Sequence, residues 1–181
     1  MIIKQSKQAQ ILAIEIINKG GVIVCPTDTV YGFLADAGNK KAVAKIYKIK
    51  KRPRSKPLPV FIKDIKMAES LTVINKEQEK ILNQKWPGKY TFILNKKNKK
   101  GTIALRIPKY KFLNDLLKKI NRPLVQTSVN ISSNSTLTKI SDIIEQFEKQ
   151  DILIIDAENL PKGKPSAIID LTQYKPKILR K

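Results

Sequence analysis

The densest cluster of side chains that could bind a ligand is the segment 50–56, Lys-Lys-Arg-Pro-Arg-Ser-Lys, which carries five cations in seven residues. These charges repel one another unless an anion lies among them or water screens them. Arginine can hold phosphate oxygens in a bidentate manner, so a triphosphate would suit the segment. A solvated basic helix end, favoured by the helix dipole, explains the same pattern. Both interpretations stay open, but no Gly-x-x-x-x-Gly-Lys-Ser/Thr sequence is present, which excludes a P-loop.

Three further loop segments place hydroxyl, amide and carboxylate groups beside predicted strands. They are residues 26–32 (Pro-Thr-Asp-Thr-Val-Tyr-Gly), 127–134 and 164–170. Loops held by a rigid scaffold are where binding residues gather, and serine and asparagine suit a ribose, a carboxylate or a phosphate. Each segment alone is also explained by a polar turn whose side chains satisfy local backbone groups. No single segment therefore decides between a site and a turn.

The residue types that are missing limit the chemistry. The chain has no histidine, which excludes a Ser-His-Asp triad, a histidine base and a histidine-ligated metal. Its one cysteine, Cys25, cannot form an internal disulfide and lies in an apolar run, so we predict a packed, inert thiol. Any catalysis must use lysine, arginine, serine, threonine, asparagine, aspartate or backbone amides.

The formal charge of +21 indicates anionic partners, with RNA and nucleotides foremost. Lysine supplies nearly all of this charge, and a lysine-, isoleucine- and asparagine-rich composition is also typical of an AT-rich genome, so charge alone supports RNA binding weakly. No apolar run approaches the roughly 20 residues that cross a bilayer, and residues 1–10 lack the apolar core of a signal peptide. We therefore expect no membrane association and a cytoplasmic location.

Hydrophobic periodicity predicts helices and short strands in alternation over one α/β domain, residues 1–181. Glycine, proline and polar residues bound the predicted elements, and Ser141 is a candidate helix N-cap. The predicted helices are 7–18, 42–49, 77–85, 111–120 and 141–148. The predicted strands are 22–25, 58–62, 90–94, 102–107, 124–127, 152–155, 167–171 and 177–179.

Taken together, the residues of these segments and their order along the chain resemble the YrdC/TsaC family. The resemblance runs from about Val22 to Arg180, and six short motifs in order are far more specific than any one of them. The motifs are Pro26-Thr27-Asp28-Thr29-Val30-Tyr31-Gly32, Lys50-x-Arg52-Pro53, Trp86-Pro87-Gly88, Leu105-Arg106-Ile107-Pro108, Ser128-x-Asn130 and Pro165-Ser166.

The resemblance implies an α/β domain with a twisted mixed sheet flanked by helices, around a basic concave site. It implies a nucleotidyltransferase, L-threonylcarbamoyladenylate synthase, that uses L-threonine, bicarbonate and ATP and releases pyrophosphate. Downstream threonylcarbamoyl-transfer proteins would use the product for the tRNA modification t6A. Mg²⁺ is expected with the ATP, bound mostly by its phosphates, and the sequence identifies no protein ligand for it. Positioning and charge stabilisation can drive such chemistry without histidine.

Site residues follow from the resemblance position by position. Arg106 would pair with the threonine carboxylate, and Lys50 and Arg52 would be the catalytic cations that neutralise phosphate charge. The implied L-threonine site is Thr29, Arg106, Ser128 and Ser166. The implied ATP site is Lys50, Arg52, Lys56, Thr102, Asn130, Thr138 and Arg180.

Three positions depart from the family pattern. Phe61 stands where many relatives carry histidine, Ser133 where glycine is common, and Ala167 where threonine is common. The chain ends at Lys181, so we expect no additional C-terminal domain of the kind in longer relatives. Two other functions stay open: a non-catalytic module that binds double-stranded RNA or tRNA, and a carbamoyl-transfer domain like that of hydrogenase maturation proteins.

Overall fold

A computed structural model describes residues 1–98, 100–132, 134–161 and 163–181. Within them, ten strands form one mixed sheet in the order β1-β8-β2-β3-β7-β4-β6-β5-β9-β10. Four pairs are parallel (β1–β8, β2–β8, β4–β6, β5–β9) and the other five are antiparallel, which confirms the predicted mixed sheet. The strands are β1 Ile2–Lys4, β2 Ile23–Cys25, β3 Gly32–Asp36, β4 Val60–Phe61, β5 Tyr90–Asn95, β6 Thr102–Arg106, β7 Leu124–Ser128, β8 Leu153–Asp156, β9 Ala167–Asp170 and β10 Lys177–Arg180.

Six helices flank the sheet in the described ranges, and polar side chains cap several of them. Ser6, Asn39, Asp64 and Asn75 each accept a hydrogen bond from an amide in the first turn of the helix that follows. None of the described helices has the length and apolar character needed to traverse a bilayer. The helices are α1 Lys7–Asn18, α2 Lys40–Ile49, α3 Ile65–Leu71, α4 Lys76–Lys85, α5 Lys111–Ile120 and α6 Ile140–Phe147.

The predicted cap at Ser141 is wrong. Helix α6 begins one residue earlier, with Lys139 at the N-cap, and the Ser141 hydroxyl donates to Asp142 instead. The Asn159 side chain, from a distant loop, accepts the hydrogen bond of the Ile140 amide at 3.0 Å. A tertiary contact thus supplies what the local sequence was expected to supply.

Three elements were not predicted: β1, β3 and α3. Strand β1 has three residues and is defined by pairing with β8, Ile2 beside Ile154. Strand β3 is buried at all five positions, so it lacks the alternation that marks a half-exposed strand. Strand β4 is shorter than the predicted 58–62, because only Val60 and Phe61 pair with both neighbours.

The two faces of the sheet are covered unequally. On one face, α2, α3, α4 and α6 pack against a core that extends from β8 to β5. On the other, α1 and α5 pack over residues of β2, β3, β4, β7 and β8. Among the described residues, this second core contains none from β5, β6 or β9. That part of the second face therefore stays open and forms the floor of a cavity.

Phe147 gives a test of the packing on the helix-rich face. Its ring meets Phe33 edge-on at 5.1 Å between centroids, and its side chain is buried. We expect Phe147→Ala to lower the free energy of unfolding by about 3–5 kcal/mol, since it leaves a cavity. Urea denaturation measures this change. The control Ile11→Ala, at a half-exposed position, should change it by less than about 0.5 kcal/mol, and equal losses would contradict the assigned core.

Candidate active site

A cavity of about 370 Å³ lies over the open half of the sheet. Its floor is formed by Pro59, Ile93, Ala104, Gln126 and Ile168, which lie on adjacent strands or just before them. The cavity brings together six residues of the predicted sites: Thr29, Arg52, Arg106, Ser128, Ser166 and Arg180. These come from six separate stretches of sequence, so only the fold makes them neighbours.

Arg106 is the most buried charged side chain at the cavity, with 1% of the residue exposed. Its Nε donates to the Gly88 carbonyl at 2.9 Å, Nη1 to Thr29 Oγ1 at 3.3 Å and Nη2 to Asp28 Oδ1 at 2.6 Å. Its guanidinium carbon lies 5.6 Å from the centre of the Phe61 ring. Burial lowers the pKa of Arg106 and the Asp28 carboxylate opposes that shift, so the guanidinium stays charged.

Two of the five N–H groups of Arg106 make no hydrogen bond to the described residues, one on each terminal nitrogen. Paired N–H groups of this kind match the two oxygens of a carboxylate. Arg106 is therefore held by the protein on three nitrogens and still able to bind a carboxylate or phosphate in the cavity.

Thr27 and Tyr31 stabilise the 26–32 loop and do not line the cavity. Thr27 Oγ1 accepts the hydrogen bond of the Thr29 amide at 3.0 Å and lies 3.0 Å from the Thr29 hydroxyl. The Tyr31 hydroxyl donates to the Glu158 carbonyl at 2.7 Å and accepts from the Ala157 amide at 2.9 Å. These bonds tie the loop to β8 and hold Thr29 against Arg106.

Lys50 is buried beneath the 128–130 turn and does not line the cavity. Its ammonium donates to the Ser128 carbonyl at 2.6 Å, and to the Asn130 carbonyl and side-chain oxygen at 2.8 Å each. Burial, and to a lesser degree the charge of Arg52, lowers the pKa of Lys50 to about 8. All three ammonium donors therefore serve the turn that presents Ser128.

Arg52 does line the cavity, from the loop that follows α2. Its Nε donates to the Lys56 carbonyl at 3.0 Å and its Nη2 to the Pro57 carbonyl at 3.1 Å. Both are backbone contacts, so the positive charge has no carboxylate partner among the described residues. The Lys56 side chain is exposed outside the cavity, and its carbonyl is the group that shapes the loop.

Ser166 and Arg180 close the side of the cavity opposite Arg52. The Ser166 hydroxyl lies 2.8 Å from the Thr91 hydroxyl, and both are buried. The Ser166 carbonyl accepts two hydrogen bonds from the Arg180 guanidinium, at 2.9 and 2.8 Å. Partial burial lowers the pKa of Arg180. The last strand thus places a third arginine beside the cavity, after Arg106 and Arg52.

Besides Lys50, four predicted ATP contacts are not on the cavity wall: Lys56, Thr102, Asn130 and Thr138. Asn130 bonds within its own turn, where its Nδ2 donates to the Asn134 carbonyl at 2.7 Å. Thr102 is exposed at the far end of β6, on the same face as Arg106 by strand alternation. Their roles, and the direct phosphate contact of Lys50, stay predictions.

Sequence reasoning missed Gln126 and the role of Asp28. Gln126 lies two residues before Ser128 on β7, and the period of two could have revealed that both face the cavity. Its side-chain amide makes no hydrogen bond to the described residues. Asp28 is in a recognised motif, but its partner Arg106 is 78 residues away, which no local pattern reveals.

The departures from the family pattern fall at different places. Phe61 is fully buried and packs beside Arg106, so it offers no hydrogen bond there. Ala167 begins β9 and pairs with Tyr90. Ser133 lies outside the described residues.

In the described part of the chain, no group of three histidine, cysteine, aspartate or glutamate side chains could hold a metal ion.

Fold and cavity together define an α/β protein whose mixed sheet carries an arginine-lined cavity. The chain belongs to the Sua5/YciO/YrdC family, whose model, described as "Telomere recombination", matches residues 15–181. This confirms the family resemblance.

Individual relatives agree along nearly the whole chain. A Methanocaldococcus jannaschii protein provisionally named threonylcarbamoyl-AMP synthase is 35% identical over 95% of this chain and 84% of its own. The crystal structure of Pyrococcus abyssi Sua5 complexed with L-threonine superposes with a TM-score of 0.90 at 30% identity, over 99% of this chain and 56% of that one. Escherichia coli YciO superposes with a TM-score of 0.89 at 28% identity, over 100% and 93%.

The lowered pKa of Lys50 predicts a pH dependence of stability. The folded state loses this proton near pH 8, whereas the unfolded chain keeps it to about 10.5. The unfolded state therefore binds more protons between these values, and stability rises with pH there. Lys50→Met lacks this titrating group. Relative to that variant, the free energy of unfolding of the wild type should increase by at most about 3 kcal/mol from pH 8 to 10.5. Urea denaturation of both proteins across this pH range measures the change. A difference in free energy of unfolding, wild type minus variant, that falls as the pH rises would contradict the prediction.

Proposed function

We propose that this chain is an L-threonylcarbamoyladenylate synthase, a nucleotidyltransferase that forms threonylcarbamoyl-AMP and pyrophosphate from L-threonine, bicarbonate and ATP. The observation that carries the proposal is Arg106, which keeps two N–H groups for a ligand carboxylate beside two buried hydroxyls, Thr29 and Ser166. The L-threonine complex of P. abyssi Sua5, a protein with the same fold, supports this choice of ligand.

In this proposal the amino acid binds at the Arg106 end of the cavity. Arg106 holds the carboxylate, and the Thr29, Ser128 and Ser166 hydroxyls orient the rest of the molecule. Ser166 and Thr29 are suited to this because each is nearly buried and already fixed by a protein hydrogen bond. A fixed donor loses little freedom when a ligand binds.

The reaction needs two bond-forming steps. The threonine amine attacks carbon dioxide derived from bicarbonate, loses a proton and becomes a carbamate. A carbamate oxygen then attacks the α-phosphorus of ATP, and pyrophosphate leaves with the bridging electron pair. Arg52 and Arg180, on opposite sides of the cavity, would neutralise the phosphate charge that develops.

The other predicted ATP contacts belong to the same proposal. Lys50 would act indirectly, because its ammonium fixes the turn that carries Ser128 and Asn130. Lys56, Thr102 and Thr138 would contact the nucleotide where it extends past the cavity. Mg²⁺ would enter on the ATP phosphates, since the described residues offer no carboxylate cluster for it, and its charge would offset that of the triphosphate.

The product is an activated carbamate, so it must be consumed by a transfer reaction. Threonylcarbamoyl-transfer proteins that modify tRNA adenosine to t6A are the partners that the resemblance indicates. We assign the reaction to the cytoplasm and to one domain, residues 1–181. P. abyssi Sua5 is longer than this chain, so its further functions are not assumed here.

Turnover that depends on both L-threonine and bicarbonate is the decisive expectation. Pyrophosphate release from ATP, with threonylcarbamoyl-AMP identified by mass spectrometry, should require both co-substrates. Pyrophosphate release that is indifferent to L-threonine would overturn the proposed function.

Arg52→Ala should lower kcat/KM for ATP at least about a hundredfold, because it removes a charge that stabilises the phosphates. Lys97→Ala is the matched control, since Lys97 is an exposed cation outside the cavity whose ammonium donates only to the Glu69 carbonyl, at 3.2 Å. Steady-state pyrophosphate release measures both. Equal losses in the two variants would refute the site assignment.

A second candidate function is binding of double-stranded RNA or tRNA without turnover. Six cations on α2 and the loop after it line a depression of about 530 Å³ that adjoins the cavity at Arg52: Lys41, Lys45, Lys48, Lys51, Arg52 and Arg54. If RNA binds there, the logarithm of its affinity should fall linearly with that of the salt concentration. A Lys41→Gln/Lys48→Gln variant should show a shallower slope in fluorescence anisotropy with duplex RNA. An unchanged slope would exclude this surface.

A further inference from the structure

We infer that Asp28 is a positioning residue for the amino-acid substrate, because it aims the Arg106 guanidinium at the substrate carboxylate. The inference deepens the proposed function and rests on it. The family resemblance implied no role for Asp28 in threonine or ATP binding, and Asp28 lines the depression next to the cavity, not the cavity itself.

The Asp28 carboxylate is held at both oxygens. Oδ1 accepts from Arg106 Nη2 at 2.6 Å, and Oδ2 accepts from the Lys109 amide at 3.1 Å. The Arg106 and Asp28 side chains are only 2% and 8% exposed. Lys109 follows β6 by three residues, so Asp28 ties the 26–32 loop to the side chain of Arg106 and to the backbone just beyond it.

The direction of the guanidinium depends on this bond. A planar guanidinium is fixed in its plane when its three nitrogens donate to three different acceptors, here Gly88, Thr29 and Asp28. The bond to Asp28 is the shortest and joins two full charges, so it holds most strongly. Without it, Nη2 would have no acceptor among the described residues, and the guanidinium could take more than one orientation at the cavity.

The charges at this end of the cavity also balance around Asp28. Arg180 lies near enough to Arg106 to lower its pKa, whereas Asp28 raises it. Two arginines and one aspartate leave one net positive charge, which a substrate carboxylate neutralises. A site without Asp28 would hold an uncompensated buried cation, which is costly and would attract anions of any shape.

L-Threoninol lacks the carboxylate of L-threonine. Comparing the Kd values of the two ligands therefore distinguishes a role of Asp28 in positioning Arg106 from a role in folding alone. We expect Asp28→Asn to raise the Kd for L-threonine at least about tenfold, and to reduce the preference for L-threonine over L-threoninol by a similar factor. Isothermal titration calorimetry measures both. A folded Asp28→Asn variant with the wild-type Kd, or with the wild-type preference, would overturn the inference.

Asp36→Asn is the matched control. Asp36 is also a nearly buried aspartate paired with an arginine, Arg122 at 2.8 Å, but it does not line the cavity. It should leave the Kd for L-threonine within about twofold, since neither Asp36 nor Arg122 lines the cavity or bonds to Arg106. An equal loss in both variants would mean that Asp28 acts only through stability, and would refute its positioning role.

A double-mutant cycle tests the route through Arg106. In an Arg106→Gln background, Asp28→Asn should cause no further loss of L-threonine affinity, because its partner is absent. An additive loss would contradict the inference. Should Asp28→Asn alone not fold, Asp28→Glu keeps the charge but moves the carboxylate, and the same reduced preference is expected from it. Failure of the wild type to bind L-threonine would instead overturn the proposed function.

Discussion

The burial of one guanidinium, that of Arg106, is the constraint around which the cavity is built. A buried charge is tolerated only where hydrogen bonds and an opposite charge compensate it. Here the Gly88 carbonyl, the Thr29 hydroxyl and the Asp28 carboxylate provide this compensation, from two loops on different sides of β6. The loops are therefore fixed by the same bonds that orient the ligand-binding group. Binding geometry and local stability are one network.

Lys50 repeats the principle on the other side of the cavity. Its buried ammonium is satisfied by three oxygens of the 128–130 turn, and the Lys50 carbonyl accepts from the Ser132 amide at 2.8 Å. A lysine that was expected to contact phosphate directly thus holds the turn in place. Both buried cations organise loops, while the partly buried Arg52 and the exposed Arg180 line the cavity. Burial separates the two kinds of cation.

The open floor follows from the topology. Two helices, α1 and α5, are too few to cover a sheet of ten strands. They pack over the half of the sheet whose strands run in the order β1-β8-β2-β3-β7-β4. The uncovered strands present Ile93, Ala104 and Ile168, whose small or apolar side chains leave room for a ligand. Apart from Gln126 in the floor, the polar groups that line the cavity come from loops and strand ends at its rim. An apolar floor with a charged rim excludes water from the ligand and strengthens each rim contact.

The sequence alone determined much of this protein. Helices α1 and α5 formed at their predicted bounds, because apolar periodicity and flanking breakers are local signals. The six ordered motifs were enough to identify the family, and they contain five of the six predicted residues that meet at the cavity, all except Arg180.

Only the tertiary structure decided which of these side chains face a ligand. Within segment 50–56, all of it described, Lys50 points inward, Arg52 lines the cavity and Lys56 lies outside it. Neighbouring cations look alike in sequence, and the inward direction of Lys50 is set by Asn130, 80 residues away. The same holds for strands β1 and β3, and for the pairing of Asp28 with Arg106. Long-range contacts leave no local pattern, because their energy depends on how the chain folds back on itself.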